Sequence, residues 1–221
     1  MAGCCSLADY GQVFSSRQAR WDAWRYARRG LGWAPGRTVD LFRDRVIDGA
    51  SLLEIGGGIG DLQVELLRLG VTRAVSVELS PSYEETATRI LRDAGFDTAV
   101  TRLTGDFIDM YDRVERADLV VMHNVLCCYP DMRRLVEAAA EKTRNYLIVS
   151  YPRNTWWLRA AAKTMNHVWY RRVRRCDFRF FIHPPAEVRR AALSAGLNLL
   201  HRERSVGDHL EVFRRGVDAT T

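Results

Sequence analysis

The run Leu52-Leu53-Glu54-Ile55-Gly56-Gly57-Gly58-Ile59-Gly60-Asp61 constrains this chain more than any other part of it. Apolar residues lead straight into closely spaced glycines, and a helical pattern follows at once. Glycine lets the backbone turn sharply there and leaves amides open toward a ligand at the strand's carboxyl end. A strand that feeds a helix in this way needs a parallel partner, because its successor must return through that helix. The pattern continues. Strands are expected at Ser51–Ile55, Ala74–Glu78, Thr98–Leu103, Leu119–His123 and Tyr146–Ser150, alternating with helices at Asp61–Leu69, Ser82–Ala94 and Asp131–Lys142. Ser80 before Pro81 and Asp131 after Pro130 are the expected helix caps. Leu197–Arg204 and His209–Arg214 read as two further strands, joined so tightly around Gly207-Asp208 that they must run antiparallel. The expected fold is α/β: a Rossmann-like seven-stranded sheet, mostly parallel with a C-terminal antiparallel pair. Residues 51–221 form that domain, and residues 1–50 an N-terminal helical extension with helices at Ser16–Arg29, stopping at Gly30, and at Thr38–Ile47.

The glycine turn points to a nucleoside-like ligand, but not to a dinucleotide. The dinucleotide fingerprint needs a third glycine where this chain has Asp61. The spacing is instead acid-x-G-x-G-x-G, through Glu54, Gly56, Gly58 and Gly60. A carboxylate beside a pyrophosphate is a like-charge conflict, whereas beside a sulfonium and an ammonium it is favourable, so the loop suits S-adenosylmethionine. Glu78, eighteen residues past Gly60, ends the second strand, where an acid accepts hydrogen bonds from both ribose hydroxyls. Gly105-Asp106-Phe107 follows the third strand; Asp106 can accept from an adenine amino group and Phe107 can cover the ring. Each element alone also occurs for packing reasons, and their order and spacing carry the reading.

Together, Glu54-Ile-Gly-Gly-Gly-Ile-Gly, Glu78, Gly105-Asp106 and the strand Asp118-Leu-Val-Val-Met-His resemble the successive motifs of class I S-adenosylmethionine-dependent methyltransferases over residues 51 to about 150. The terminal antiparallel pair is similar to that family's sixth and seventh strands. Tyr151-Pro-Arg-Asn-Thr-Trp-Trp and the helix after it look most like the magnesium-protoporphyrin O-methyltransferase group and its unassigned bacterial relatives. The resemblance implies an enzyme that moves a methyl group from S-adenosylmethionine to an acceptor. The Asn-Pro-Pro-Tyr pattern, which the family's amino-group methylases of nucleic acid and protein carry after the fourth strand, is absent.

Methyl transfer requires orientation above all, with a base only where the acceptor is protonated at neutral pH. His123, at the exposed end of the fourth strand, is the candidate base, with simple packing against the cofactor as the alternative. His183 in Phe180-Phe-Ile-His-Pro-Pro is the second acceptor-side candidate, followed by Tyr129 and Tyr151. Cys127-Cys128 carries neither C-x-x-C spacing nor a zinc-spaced histidine, so no metal is expected. A three-thiol site completed by Cys4 or Cys5, for arsenite methylation, stays open as an alternative.

The formal charge of +6 is uneven. Residues 153–179 hold eight Lys or Arg against Asp177 alone, while residues 38–152 sum to −6. Within the basic segment Trp157, Ala161, Met165 and Val168 mark one apolar helix face, ringed by Arg159, Lys163, Arg171, Arg172, Arg174 and Arg175. Three readings are open: a solvated amphipathic helix, a cover for a hydrophobic acidic small-molecule acceptor, or a peripheral contact with an anionic membrane. The charge is too compact for a nucleic-acid stripe. A non-catalytic cofactor-binding module acting through this helix is the rival to an enzyme. Oligomeric state is left open. No stretch reaches the roughly 18 apolar residues of a membrane span. The first residues lack a basic, then apolar, secretory pattern, and the five cysteines do not form a disulfide framework, so a cytoplasmic location is expected.

Overall fold

The chain first enters its sheet at β1 (Ser51–Ile55), buried at every position, as a strand covered on both faces must be. The computed structural model describes residues 10, 11, 13–174 and 176–216, without the side chain of residue 174. Ahead of β1 lie α1 (Ser16–Arg29) and α2 (Trp33–Arg43); after it come α3 (Asp61–Arg68), β2 (Arg73–Glu78), α4 (Glu84–Asp93), β3 (Val100–Thr104), β4 (Ala117–His123), α5 (Met132–Lys142) and β5 (Thr143–Pro152). The basic segment forms α6 (Trp156–Thr164) and runs on as a π-helix (Met165–Arg174). Helix α7 (Pro185–Ser194), β6 (Leu197–Arg204) and β7 (Asp208–Arg215) complete the order. The strands lie as β3-β2-β1-β4-β5-β7-β6, parallel from β3 to β5, with β7 antiparallel to both neighbours.

Alternate residues of the strands feed two cores. Leu53, Val120, Leu147 and Phe213 face α5 and α7; Leu52, Leu119, Ile148 and Val212 face α2 and α3. The N-terminal helices are part of this body. Arg37 on α2 grips Glu203 on β6 in a forked pair, Nε to Oε2 at 2.8 Å and Nη2 to Oε1 at 2.7 Å, and holds that carboxyl down at about 2. On α1, the Tyr26 hydroxyl donates to Glu65 at 2.6 Å.

Two expectations need correction. Helix α2 spans Trp33–Arg43 rather than Thr38–Ile47, because Gly32 is its cap and Pro35 sits in the first turn, where the missing N–H breaks no bond. Ser80 does not cap the next helix; its hydroxyl donates to the Phe14 carbonyl at 2.6 Å, and a single 3-10 turn, Pro81–Tyr83, precedes α4. The apolar stripe is open to solvent at Trp157, Ala161 and Val168 and half-buried at Met165. Ala162 and Tyr170 are buried instead, because the wider π turns swing Tyr170 into an aromatic cluster with Tyr10 and Phe178, 4.8 Å from the Phe178 ring. Asp131, by contrast, caps α5 as expected, accepting from Arg134 N–H at 3.1 Å.

Candidate active site

At the carboxyl ends of β1, β2 and β4 the glycine turn opens a cavity of about 320 Å³. Gly56 has φ 74°, and a Cβ there would lie 2.5 Å from Val125 Cγ2, so only glycine fits. The turn's amides are not all open. Gly56 N–H donates to Val77 O at 2.7 Å, Gly60 N–H to Gly57 O at 2.9 Å, and Gly58 N–H to Glu78 Oε2 at 2.9 Å. The turn therefore shapes the cavity and fixes Glu78 more than it offers donors.

Glu78 also accepts from Ser80 N–H through Oε1 at 2.9 Å, which leaves lone pairs on both oxygens. Burial raises its pKa. Glu54, at the end of β1, is buried and accepts from Gln63 Nε2 at 2.9 Å; burial pushes its carboxyl up to about 8. Burial likewise raises Asp61. Asp106 accepts from Ile108 N–H at 2.9 Å, with the Tyr129 hydroxyl 3.4 Å from both of its oxygens. Phe107 is buried and lines the same cavity.

His123 keeps an edge on the cavity, but both ring nitrogens are engaged. Thr38 already donates its hydroxyl proton to Ala34 O, so His123 Nε2–H must donate to Thr38 Oγ1 at 3.1 Å. Ser150 Oγ accepts from Asn124 N–H and lies 3.0 Å from Nδ1, to which its proton is then donated. Burial holds the ring down at about 3, so it is neutral. The neighbouring Asn124 adopts φ 55°, a left-handed strain that asparagine tolerates and that turns the chain along the cavity wall. His183 lies elsewhere: its Nε2 sits 2.9 Å from Leu126 O and 3.1 Å from Tyr129 O, bracing the turn after β4, and it is not among the cavity's lining residues. Tyr151 is also away from the cavity, its hydroxyl donating to buried Glu211 at 2.8 Å. Tyr129 does line it.

Of the adjacent pair, Cys128 lines the cavity and Cys127 does not. Cys127 donates to Asn124 O at 3.1 Å and lies 3.7 Å from Cys128 Sγ. The bond with Cys128, reinforced by burial, pushes the Cys127 thiol up. Cys4 and Cys5 lie outside the described residues. No group of three or more metal-capable side chains occurs among the described residues.

A brace behind the glycine turn and one set of lining residues have no counterpart in the sequence reading. Arg102, on β3, places Nη2 3.1 Å from Gly58 O and Nε 2.9 Å from Glu84, bracing the glycine turn from beneath. Tyr10, Phe14, Asp22 and Arg25 close the cavity from the N-terminal side. The Tyr10 hydroxyl donates to Cys128 O, and the Tyr83 hydroxyl to Asp22 at 3.0 Å. Interleaved aromatic and charged residues before and within α1 were the available signal, but nothing local says where that segment packs. None of the described residues of 153–182 lines this wall.

The wall carries Asp22, Glu54, Asp61, Glu78 and Asp106 against Arg25 alone. Such a lining repels a pyrophosphate and attracts a cation, and it has acceptors where a ribose and an amino group need them. The residues fit S-adenosylmethionine. Strand order and an acid-lined cavity at the strand ends together define a Rossmann-like class I S-adenosylmethionine-dependent methyltransferase. The chain belongs to the Methyltransferase domain family, whose model matches residues 12–202. No curated protein matches it.

Solved structures share the fold. The magnesium protoporphyrin IX methyltransferase of Synechocystis PCC 6803, solved with bound S-adenosylhomocysteine, superposes with a TM-score of 0.67 at 18% identity, covering 89% of this chain and 94% of that one. An O-methyltransferase family 2 protein of Planctomyces limnophilus DSM 3776, in complex with apigenin, gives 0.65 at 18% identity over 91% of this chain and 62% of its own. An O-methyltransferase family protein of Burkholderia thailandensis gives 0.64 at 15%, over 92% and 71%. The enzyme class is thus a methyltransferase that uses S-adenosylmethionine.

Proposed function

We propose that the acceptor is a small organic molecule that presents an acidic, already ionised nucleophile, and that it enters beside Asn124, Cys128 and Tyr129. The observation that supports this is the engaged, neutral His123: the histidine on the cavity wall has no nitrogen free to take a proton. A carboxylate needs no base at neutral pH, so orientation suffices. S-adenosylmethionine supplies an electrophilic methyl group on a sulfonium.

In this reading Glu78 accepts from both ribose hydroxyls and Asp106 from the adenine amino group, with Phe107 as the apolar wall. Glu54, Asp61 and Asp22 face the positive groups, and Arg25 pairs with the amino-acid carboxylate. Gly56, Gly58 and Gly60 set the shape of the turn. His123 is a positioning residue, tying β4 to α2 and β5 through Thr38 and Ser150. His183 holds the turn 126–129 that borders the acceptor entrance. The fit of the cavity to the whole cofactor favours an enzyme over the non-catalytic module, and an arsenite site would lack Cys127, whose thiol is held protonated and away from the cavity wall.

Calorimetric titration with S-adenosylmethionine, S-adenosylhomocysteine and NADH, followed by labelled-methyl transfer to carboxylated and phenolic acceptors, tests this. Binding of the first two without NADH, and transfer to carboxylates in preference to phenols, is expected. Because an arriving cation draws Glu54 down from about 8, S-adenosylmethionine affinity should rise with pH from 6 to 7.5 and Glu54→Gln should flatten that rise. Transfer only to phenols would overturn the acceptor reading.

A further inference from the structure

Outside the cofactor cavity, α6 and the π-helix turn large apolar side chains to solvent. Trp156 is 76% exposed, Trp157 41%, Val168 47% and Val173 59%. Along the flank, Arg159, Lys163, His167 and Arg171 repeat at every fourth position, so they share one row. This row and Arg179 border a second cavity of about 490 Å³, floored by Phe178, Phe180 and Phe181. Two hydrogen bonds, Asn166 Nδ2 donating to Phe180 O and Phe180 N–H donating to Asn166 Oδ1, each at 2.8 Å, fix the groove's two walls together. Asp177 is the sole acid of residues 153–182.

An exposed indole is costly in water and stable at a lipid headgroup boundary, where its ring is buried and its N–H stays wet. Cations beside it add attraction to anionic lipid, and neither element alone gives firm attachment. We infer that residues 156–182 form a peripheral docking surface for an anionic phospholipid bilayer, with Trp156, Trp157, Val168 and Val173 entering the interface and the groove of Arg159, Lys163, Arg171 and Arg179 receiving headgroup phosphates. The charge complementarity commits the surface to anionic lipid: the groove sets Arg159, Lys163, Arg171 and Arg179 against Asp177 alone among its lining acids, and a neutral bilayer adds no net anionic charge to balance the excess. No described helix is long and apolar enough to cross a membrane, so attachment is at one leaflet.

The test is co-sedimentation of the full chain with phosphatidylcholine vesicles and with mixed phosphatidylcholine–phosphatidylglycerol vesicles, at low salt and at about 1 M salt, where the screening length falls to about 3 Å. Binding to the mixed vesicles alone, a blue shift of tryptophan emission, and release by salt are expected. The triple variant Arg159→Gln, Lys163→Gln, Arg171→Gln should weaken partitioning on the order of a hundredfold, about fivefold for each cation removed. Trp156→Ser with Trp157→Ser, changing no charge, should weaken it at least tenfold. Both variants should bind S-adenosylmethionine as the wild type does, which certifies their fold. Inorganic phosphate at millimolar concentration should not displace the chain from vesicles; full displacement would assign the groove to a soluble phosphate and overturn the bilayer. Failure of the wild type to sediment with anionic vesicles, undiminished partitioning of either variant, or a raised acceptor KM in the triple variant with unchanged partitioning would each overturn the inference.

Discussion

The cofactor cavity and the basic segment are both marked by charge, yet they obey opposite rules. In the cavity, acids are fixed by backbone donors and forced together by burial: Glu78 accepts from Gly58 and Ser80, and Glu54 is held near a pKa of about 8. In the segment, cations stand in a row on a helix flank with tryptophans beside them in the solvent. Crowded like charge inside a fold marks a binding site for the opposite charge; crowded like charge with exposed aromatic area on the outside marks a surface. The two should therefore be separable by mutation.

Glu78→Ala breaks that separation most strongly if it is wrong. Loss of hydrogen bonds to an ionised group should weaken S-adenosylmethionine binding by about 1.5–3 kcal/mol, measured by calorimetry, with vesicle partitioning unchanged. The fold should survive, because the carboxylate's own burial is unfavourable. An equal loss of thermal stability without ligand would make Glu78 structural.

The cavity was legible in the sequence and the surface only in part, for a physical reason. Glu54, Gly56, Gly58 and Glu78 are placed by two consecutive strands and one turn, so short-range spacing fixes them. Tyr10, Phe14, Asp22 and Arg25 reach the cavity through contacts such as Asp22 to Tyr83 and Phe14 to Ser80, more than sixty residues away, which no periodicity announces. In the basic segment the 3.6-residue period marks the apolar stripe but not the residue that anchors it, because a π-helix advances its side chains differently and Tyr170 turns inward to join Phe178. The two prolines after His183 suggest a fixed site residue; its ring instead satisfies the carbonyls of a turn.

The next sharpening concerns His123. Its folded pKa, about 3, lies below the ordinary value of 6.5, so the unfolded chain takes up the proton first as pH falls. Its contribution to stability is complete above pH 6.5 and is lost as pH falls from there toward 3, by at most about 1.4 kcal/mol per pH unit. Buried Glu54 slopes the other way, its folded pKa being raised, so the two must be resolved by comparison with a variant. Between pH 7 and 5, the urea midpoint of the wild type should fall relative to that of His123→Gln. Parallel curves would mean that His123 takes up its proton as readily in the fold as in the unfolded chain, which would return it to the role of an acid or base.

The smallest expected effect belongs to Cys127 and Cys128, and it separates cavity wall from chemistry. Cys127 is buried, and its thiol donates to Asn124 O, whose acceptor capacity survives without it. Cys128 reaches the cavity, yet what holds the N-terminal segment there is its carbonyl, which accepts from the Tyr10 hydroxyl. Alanine keeps that carbonyl. Replacing both cysteines by Ala should therefore lower stability by about 1 kcal/mol, the scale of a small core truncation, and leave S-adenosylmethionine affinity and methyl transfer within about twofold, a free-energy change of about 0.4 kcal/mol. Melting curves, calorimetry and a transfer assay on the same preparation decide it. Transfer abolished with affinity and stability intact would place a thiolate in the reaction, and the acid-lined cavity would then serve a soft-ion acceptor rather than an ionised organic one.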